Sequence, residues 1–202
     1  MLPAALLAAG VMQVQAATLS GSYTADDNLK IYLSTDLTAS IDELIVHKTS
    51  TWSTTESFSG FALTPGQSTY LLVEAINFTG PAMFVGNFEI IGDGFAFANG
   101  GSTLLTNTLH WTVSETSFAA ATATPVSLGA NAPGLQIWGQ RPAIDPGAEA
   151  VWAYYSDWST GRGGSAYFVT QITAAVPEPA TVGMFAAGLA VLGLALGRTR
   201  RS

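Results

Sequence analysis

The chain of 202 residues carries two histidines, His47 and His110, fourteen carboxylates and no cysteine, which leaves little acid–base or nucleophilic chemistry. There is no HExxH and no third imidazole, so a histidine metal cage is not expected. No GxSxG elbow, P-loop or dinucleotide fingerprint is present. The absence of cysteine excludes disulfide scaffolds, thiolate zinc sites and Fe–S clusters. Carboxylates do occur in pairs, at Asp26/Asp27 and Asp42/Glu43. Glycoside hydrolysis needs two carboxyl groups across a cleft, however, and neighbours in a strand point to opposite faces. Both pairs are therefore expected to be solvated loop charges. Asp26, Asp27 and Asn28 offer oxygen ligands to calcium, but without EF-hand spacing. They read as a turn, and no cofactor is expected. His110, beside Trp111, reads as an ordinary strand residue.

Five tryptophans and six tyrosines are the other candidates. Trp111 and Trp152 stand in strand-like runs and are expected in the core. Trp52, in Thr49-Ser50-Thr51-Trp52-Ser53, and Trp158, in Tyr154-Tyr155-Ser156-Asp157-Trp158, have polar surroundings. They are the candidate glycan contacts. A net charge of −7 argues against a nucleic-acid partner, which would require a basic face.

The elements that carry these residues are bounded by two apolar ends. Residues 1–12 are Leu/Ala-rich and uncharged, and Val14-Gln15-Ala16 follows. That is a secretory signal peptide cleaved between Ala16 and Ala17. No Lys or Arg precedes the apolar run, which a start codon assigned too far downstream accounts for. At the other end, Val176-Pro177-Glu178-Pro179 leads into residues 182–197, sixteen residues without charge or hydrogen-bonding side chain. At ~1.5 Å per residue these cover about 24 Å, and snorkelling arginines close most of the gap to a ~30 Å hydrocarbon core. Arg198, Arg200 and Arg201 follow and hold the C-terminus in the cytoplasm, with the body outside. Pro177 and Pro179 keep the strip before this transmembrane helix extended.

An extended Pro-Glu-Pro, an apolar helix and a terminal arginine cluster together resemble the PEP-CTERM sorting signal of Gram-negative bacteria over Val176–Ser202. The resemblance implies an exosortase partner that recognises Pro177, Glu178 and Pro179. It also implies loss or exchange of residues 182–202, with delivery to the cell surface or extracellular matrix after transient membrane anchoring.

The body, residues 17–175, has four basic residues (Lys30, Lys48, Arg141 and Arg162) against thirteen acids, a net −9. No amphipathic helix of useful length appears, and alternating segments recur between Gly, Pro and Asn turns. Leu29, Ile31 and Leu33 alternate with Lys30 and Tyr32, and Tyr70–Ile76 is apolar on both faces, as in a covered central strand. Thr64-Pro65-Gly66-Gln67 fits a type II turn. Asn99-Gly100-Gly101 reads as a hairpin between Phe95–Ala98 and Thr103–Thr106. Residues 119–133 are small and polar and read as a surface loop. The expected fold is a single all-β jelly-roll or β-sandwich domain.

The order of these pieces resembles galactose-binding-like β-sandwich modules over most of Ser22–Thr173. It rests on Thr24-Ala25-Asp26-Asp27-Asn28 before Leu29-Lys30-Ile31-Tyr32, a TPG-type turn before Tyr70-Leu71-Leu72-Val73-Glu74-Ala75, then Leu105-Thr106 with Trp111, and Ala150-Val151-Trp152 before Tyr167-Phe168. Where such modules often carry Asn-Gly after the Tyr strand, this chain has Leu33-Ser34-Thr35-Asp36. The resemblance implies a lectin-like alternative to the leading expectation, an exported, non-catalytic surface or exopolysaccharide-matrix protein of a biofilm.

Overall fold

A computed structural model describes residues 16–135 and 137–175. The signal peptide, Pro177, Glu178, Pro179, the 182–197 helix and Arg198, Arg200 and Arg201 lie outside them. Among the described residues no helix is long and apolar enough to cross a membrane. Ala16 is exposed, whereas Ala17 is buried and its carbonyl accepts the Leu63 N–H at 2.8 Å. The bond expected to be cleaved thus joins exposed to buried chain.

Two six-stranded antiparallel sheets face each other. The first contains β1 (Thr18–Asp26), β4 (Glu56–Ala62), β6 (Met83–Ile91), β8 (Thr103–Leu105), β10 (Val126–Ala130) and β11 (Glu149–Trp152). Their order is β10-β11-β6-β1-β4, with β8 also on β6. The second contains β2 (Asn28–Ser34), β3 (Leu44–Lys48), β5 (Thr69–Asn77), β7 (Phe95–Phe97), β9 (Thr112–Ser114) and β12 (Gly164–Ala174). Here the order is β3-β2-β5-β12-β7, with β9 also on β12.

Alternation sorts the side chains. Leu29 and Ile31 on β2, Leu71, Val73 and Ala75 on β5, and Phe84, Phe88 and Ile90 on β6 all meet between the sheets. At the centre, Phe84 packs on Phe168, Trp111 and Phe88 at ring separations of 5.1, 5.8 and 6.5 Å. Trp111 and Trp152 are core residues, as their runs suggested. Each buried aromatic ring contributes on the order of 2–3 kcal/mol by removal from water. With no disulfide available, this interlocked layer is what holds the sheets together.

Most connections pass from one sheet to the other. Thr64–Gln67 is a turn closed by the Gln67 N–H on the Thr64 carbonyl at 3.1 Å, with Gly66 at φ 75°, and it carries the chain between sheets. Asn99-Gly100-Gly101 also forms a tight turn, but β7 and β8 are not a hairpin. β7 pairs with β12 and β8 with β6, so the turn steps between layers.

Residues 119–133 are only in part a surface loop. Phe118–Ala120 forms a 3-10 turn, Val113 bridges Ala123, and Val126–Ala130 is the edge strand β10. Phe118 covers the outer face of the second sheet, edge-on to Tyr32 (5.9 Å) and Tyr167 (5.1 Å). Small residues permit this close covering, and hydropathy alone does not distinguish it from solvated chain.

The first sheet is covered too. The β10–β11 connection lays Leu135, Trp138 and Ile144 against Met83 and Val85. Buried Asn131 shapes that excursion, because its amide donates to the Arg141 and Ile144 carbonyls (3.1 and 2.8 Å) and its Oδ1 accepts the Arg141 N–H at 2.6 Å.

The sheet edges are blunted. The pairings β1–β4, β10–β11 and β2–β3 each contain a register shift, with the extra residue on the edge strand. Gly60 and Gly129 supply positive φ at two of these bulges (78° and 125°). The fourth edge is made only of the three-residue β7 and β9. Bulged or very short edges resist strand-to-strand association.

Candidate functional site

The loops at one end of the sandwich hold most of the residues singled out from sequence. β1 passes to β2 there through Asp26 and Asp27, which changes sheets within one residue. The two carboxylates are not solvated loop charges. Asp26 is buried and its Oδ2 accepts the Trp138 indole N–H at 2.9 Å, and Asp27 Oδ2 accepts the Phe78 N–H at 2.8 Å. Adjacent residues do diverge, but each side finds a protein partner instead of water.

Lys48 organises this corner. It is fully buried, and its ammonium donates to the carbonyls of Ser50 (2.6 Å), Thr51 (3.1 Å), Asp27 (3.2 Å) and Ala25 (3.4 Å). Desolvation pulls its pKa down, opposed by Glu56, Asp26 and Asp27. Burial pushes the Asp26 carboxyl up to about 6, with the Trp138 bond lowering it and Asp27 raising it. Thr24 ties in the same loop through the Trp52 and Thr54 carbonyls (3.0 and 2.9 Å). One oxygen each of Asp26 and Asp27, weighed as calcium ligands, is thus bonded to a protein donor. No group of three or more His, Asp or Glu among the described residues is placed to hold a metal.

Above the corner the β5–β6 and β11–β12 loops interlock. The Asn77 amide donates to the Gly80 and Arg162 carbonyls at 2.9 and 3.0 Å. Gly161 lies so close that any Cβ there would overlap the Gly80 carbonyl. Asp157 Oδ1 accepts from the N–H groups of Ser159 and Thr160 and from the Ser159 hydroxyl, which fixes the turn and holds its carboxyl below the usual range. Arg162 stacks on Tyr154 at 4.4 Å and pairs with Glu115 at 2.8 Å.

On this braced platform Trp158 stands 77% exposed, its ring edge over Gly80, with Phe78 (65%) and Tyr155 (51%) on the same two loops. A rigid loop that leaves large aromatic rings in water is the usual mark of a contact surface.

Trp52 and Trp158 do not converge. Trp52 packs on the outer cluster of the first sheet, and Arg141 lies over its ring at 5.1 Å. Its polar sequence neighbours hide this, because the covering residue is eighty-nine positions away. Glu43 of the second carboxylate pair accepts from the Ser34 hydroxyl (2.7 Å) and from the Ser40 N–H and hydroxyl (2.9 Å each), which lowers its pKa. His47 is exposed on β3, and His110 lines a shallow cavity of about 300 Å³ beside β12.

A family model described as the PEP-CTERM protein-sorting motif matches residues 175–201. The chain carries a PEP-CTERM sorting signal. The match begins one residue beyond β12, where the Ala175 N–H still bonds the Gly94 carbonyl at 2.7 Å. Such a motif marks an exported protein that is processed by exosortase and sorted to the cell surface. No curated protein and no solved structure matches the chain.

Sequence reasoning missed Lys48, Trp138, Phe78 and Tyr155. One signal was available for Lys48, which shares a strand face with buried Val46.

The Asp26 shift has a definite consequence for pH. Its folded pKa lies above the unfolded value, so the folded state holds the proton more tightly. The stability this contributes is complete below about pH 4 and is lost as pH rises through about 6. Asp26→Asn keeps an acceptor for Trp138 and removes the titration. Wild-type stability relative to Asp26→Asn should therefore fall by about 1–3 kcal/mol between pH 4 and pH 7, as read by urea denaturation.

Proposed function

We propose that this protein is a non-catalytic component of the cell surface or extracellular polysaccharide matrix, delivered there by exosortase. The observation that carries this reading is the sorting motif at 175–201, which abuts a self-contained sandwich. The non-catalytic part draws support from five carboxylates that are engaged in structural bonds. Asp26, Asp27 and Glu43 bond as described, Glu56 accepts the Ser50 hydroxyl at 2.5 Å, and Glu74 pairs with Lys30 at 3.0 Å.

The motif's own test is Glu178→Ala combined with Pro177→Ala in an exosortase-containing host. Most of the variant should remain in the inner-membrane fraction with its tail intact, while the wild-type chain reaches the surface. Equal surface display of both would overturn the assignment.

A second reading, a lectin-like glycan-binding module, is favoured by Trp158 and its neighbours Phe78 and Tyr155. Aromatic faces stack on the C–H faces of sugars, and pre-fixed loops lower the ordering cost of binding. The galactose-binding-like order of segments belongs with this reading. Trp158→Ala should weaken binding to the host's own exopolysaccharide about tenfold or more, measured by affinity electrophoresis. Because the ring is exposed, the same variant should change unfolding free energy by less than about 0.5 kcal/mol. Unchanged retardation would remove the second reading and leave the first intact.

A further inference from the structure

The far edge of the second sheet is interrupted. β12 pairs with β9 through Tyr167, Phe168 and Val169, and with β7 through Ile172, Thr173 and Ala174. Neither neighbour pairs with Thr170 or Gln171. The direction of the Gln171 backbone follows from its neighbours. Ala174 N–H bonds Ser68 Oγ, beside β5, and Ala175 N–H bonds the Gly94 carbonyl, beside β7. In an antiparallel ladder both main-chain groups of one residue face the same neighbour, and the side alternates along the strand. Gln171, in step with Ala175, therefore turns its N–H and C=O toward the gap between Ala98 and His110.

That gap is the cavity of about 300 Å³, lined by Tyr70, Leu109, His110, Trp111 and Val169 besides Ala98 and Gln171. Leu109 is 82% exposed at its rim. The Asn107 Oδ1 fixes the rim by accepting the Leu109 and His110 N–H groups at 2.8 and 2.9 Å. The cavity thus offers one main-chain donor, one main-chain acceptor, an aromatic side at Tyr70 and a mainly apolar wall.

We infer that this gap is a binding site for an acetamido sugar, an N-acetylated hexosamine unit of a polysaccharide. The acetamido carbonyl accepts the Gln171 N–H, a neighbouring sugar hydroxyl donates to the Gln171 C=O, and the methyl group lies against Leu109 and Val169. An added peptide strand is a poor occupant. Only two residues of β12 are open, about 7 Å of strand, and β7 and β9 block both ends. The volume is at the lower end of small-ligand pockets and suits a single sugar unit. This deepens the lectin-like reading by naming a ligand class, but it does not depend on Trp158.

The test is calorimetric titration of the full chain in detergent with N-acetylglucosamine and, separately, glucose. N-acetylglucosamine should bind about tenfold or more tightly than glucose, the value of one well-made hydrogen bond with its methyl contact. Ala98→Phe, at an exposed turn, fills the cavity and should abolish that preference, and Leu109→Asp, at the exposed rim, should weaken binding by a similar factor. Trp158→Ala should leave this binding within about twofold, so the two sites fail separately. Equal binding of the two sugars, no binding, indifference to both cavity variants, loss in Trp158→Ala, or binding of an extended tripeptide in place of the sugar would each overturn the site.

Discussion

A single buried ammonium holds the loop end of this molecule together. Lys48 lies where β1 crosses to β2 and where β3 gives way to the loop before β4, and it bonds carbonyls from both segments. An isolated buried charge is prohibitively costly, so its surroundings must be polar and pre-arranged. The four carbonyls, with Asp26, Asp27 and Glu56 nearby, meet that demand. The corner in turn sets Asp26 against Trp138, which anchors the excursion covering the first sheet, and Asp27 against Phe78, which begins the aromatic platform. A side chain tethered to the strand thereby does the ordering work that a bound cation could do, without dependence on what the medium supplies.

The remainder of the fold suits an exported chain that has no disulfide. Aromatic rings fill the space between the sheets, Phe118 and the 131–148 excursion cover the outer faces, and bulges or brevity protect the edges. Crossing connections make most contacts distant in sequence. Such a topology is slow to form but leaves few local units that can open alone.

What the sequence made legible follows from what is local. Strand periodicity located β2 and β5, and Pro65-Gly66 marked a turn that exists, because these signals lie within a few residues of each other. The Asn99–Gly101 turn was visible, but its hairpin reading failed, since the partners of β7 and β8 are set by distant strands. Residues 126–130 looked unremarkable because small side chains pack closely without an apolar signature. At the candidate site, exposed Trp158 agreed with its polar setting, whereas Trp52 is covered by a residue far along the chain. The open main-chain position at Gln171 leaves no trace in residue types at all. The sorting signal was the most legible feature, since Pro-Glu-Pro, an apolar run and terminal arginines form one contiguous string.

Sorting and fold bear on each other at residue 175, where the last backbone bond of the sandwich meets the first residue of the matched motif. A stable domain is therefore presented directly beside the segment that exosortase reads. Intact-mass measurement of the protein recovered from the surface of its own cells tests this most directly. The expected mass lacks the N-terminal residues through Ala16 and also lacks the apolar run 182–197 with Arg198, Arg200 and Arg201. A surface form that retains the whole C-terminal segment would contradict the account.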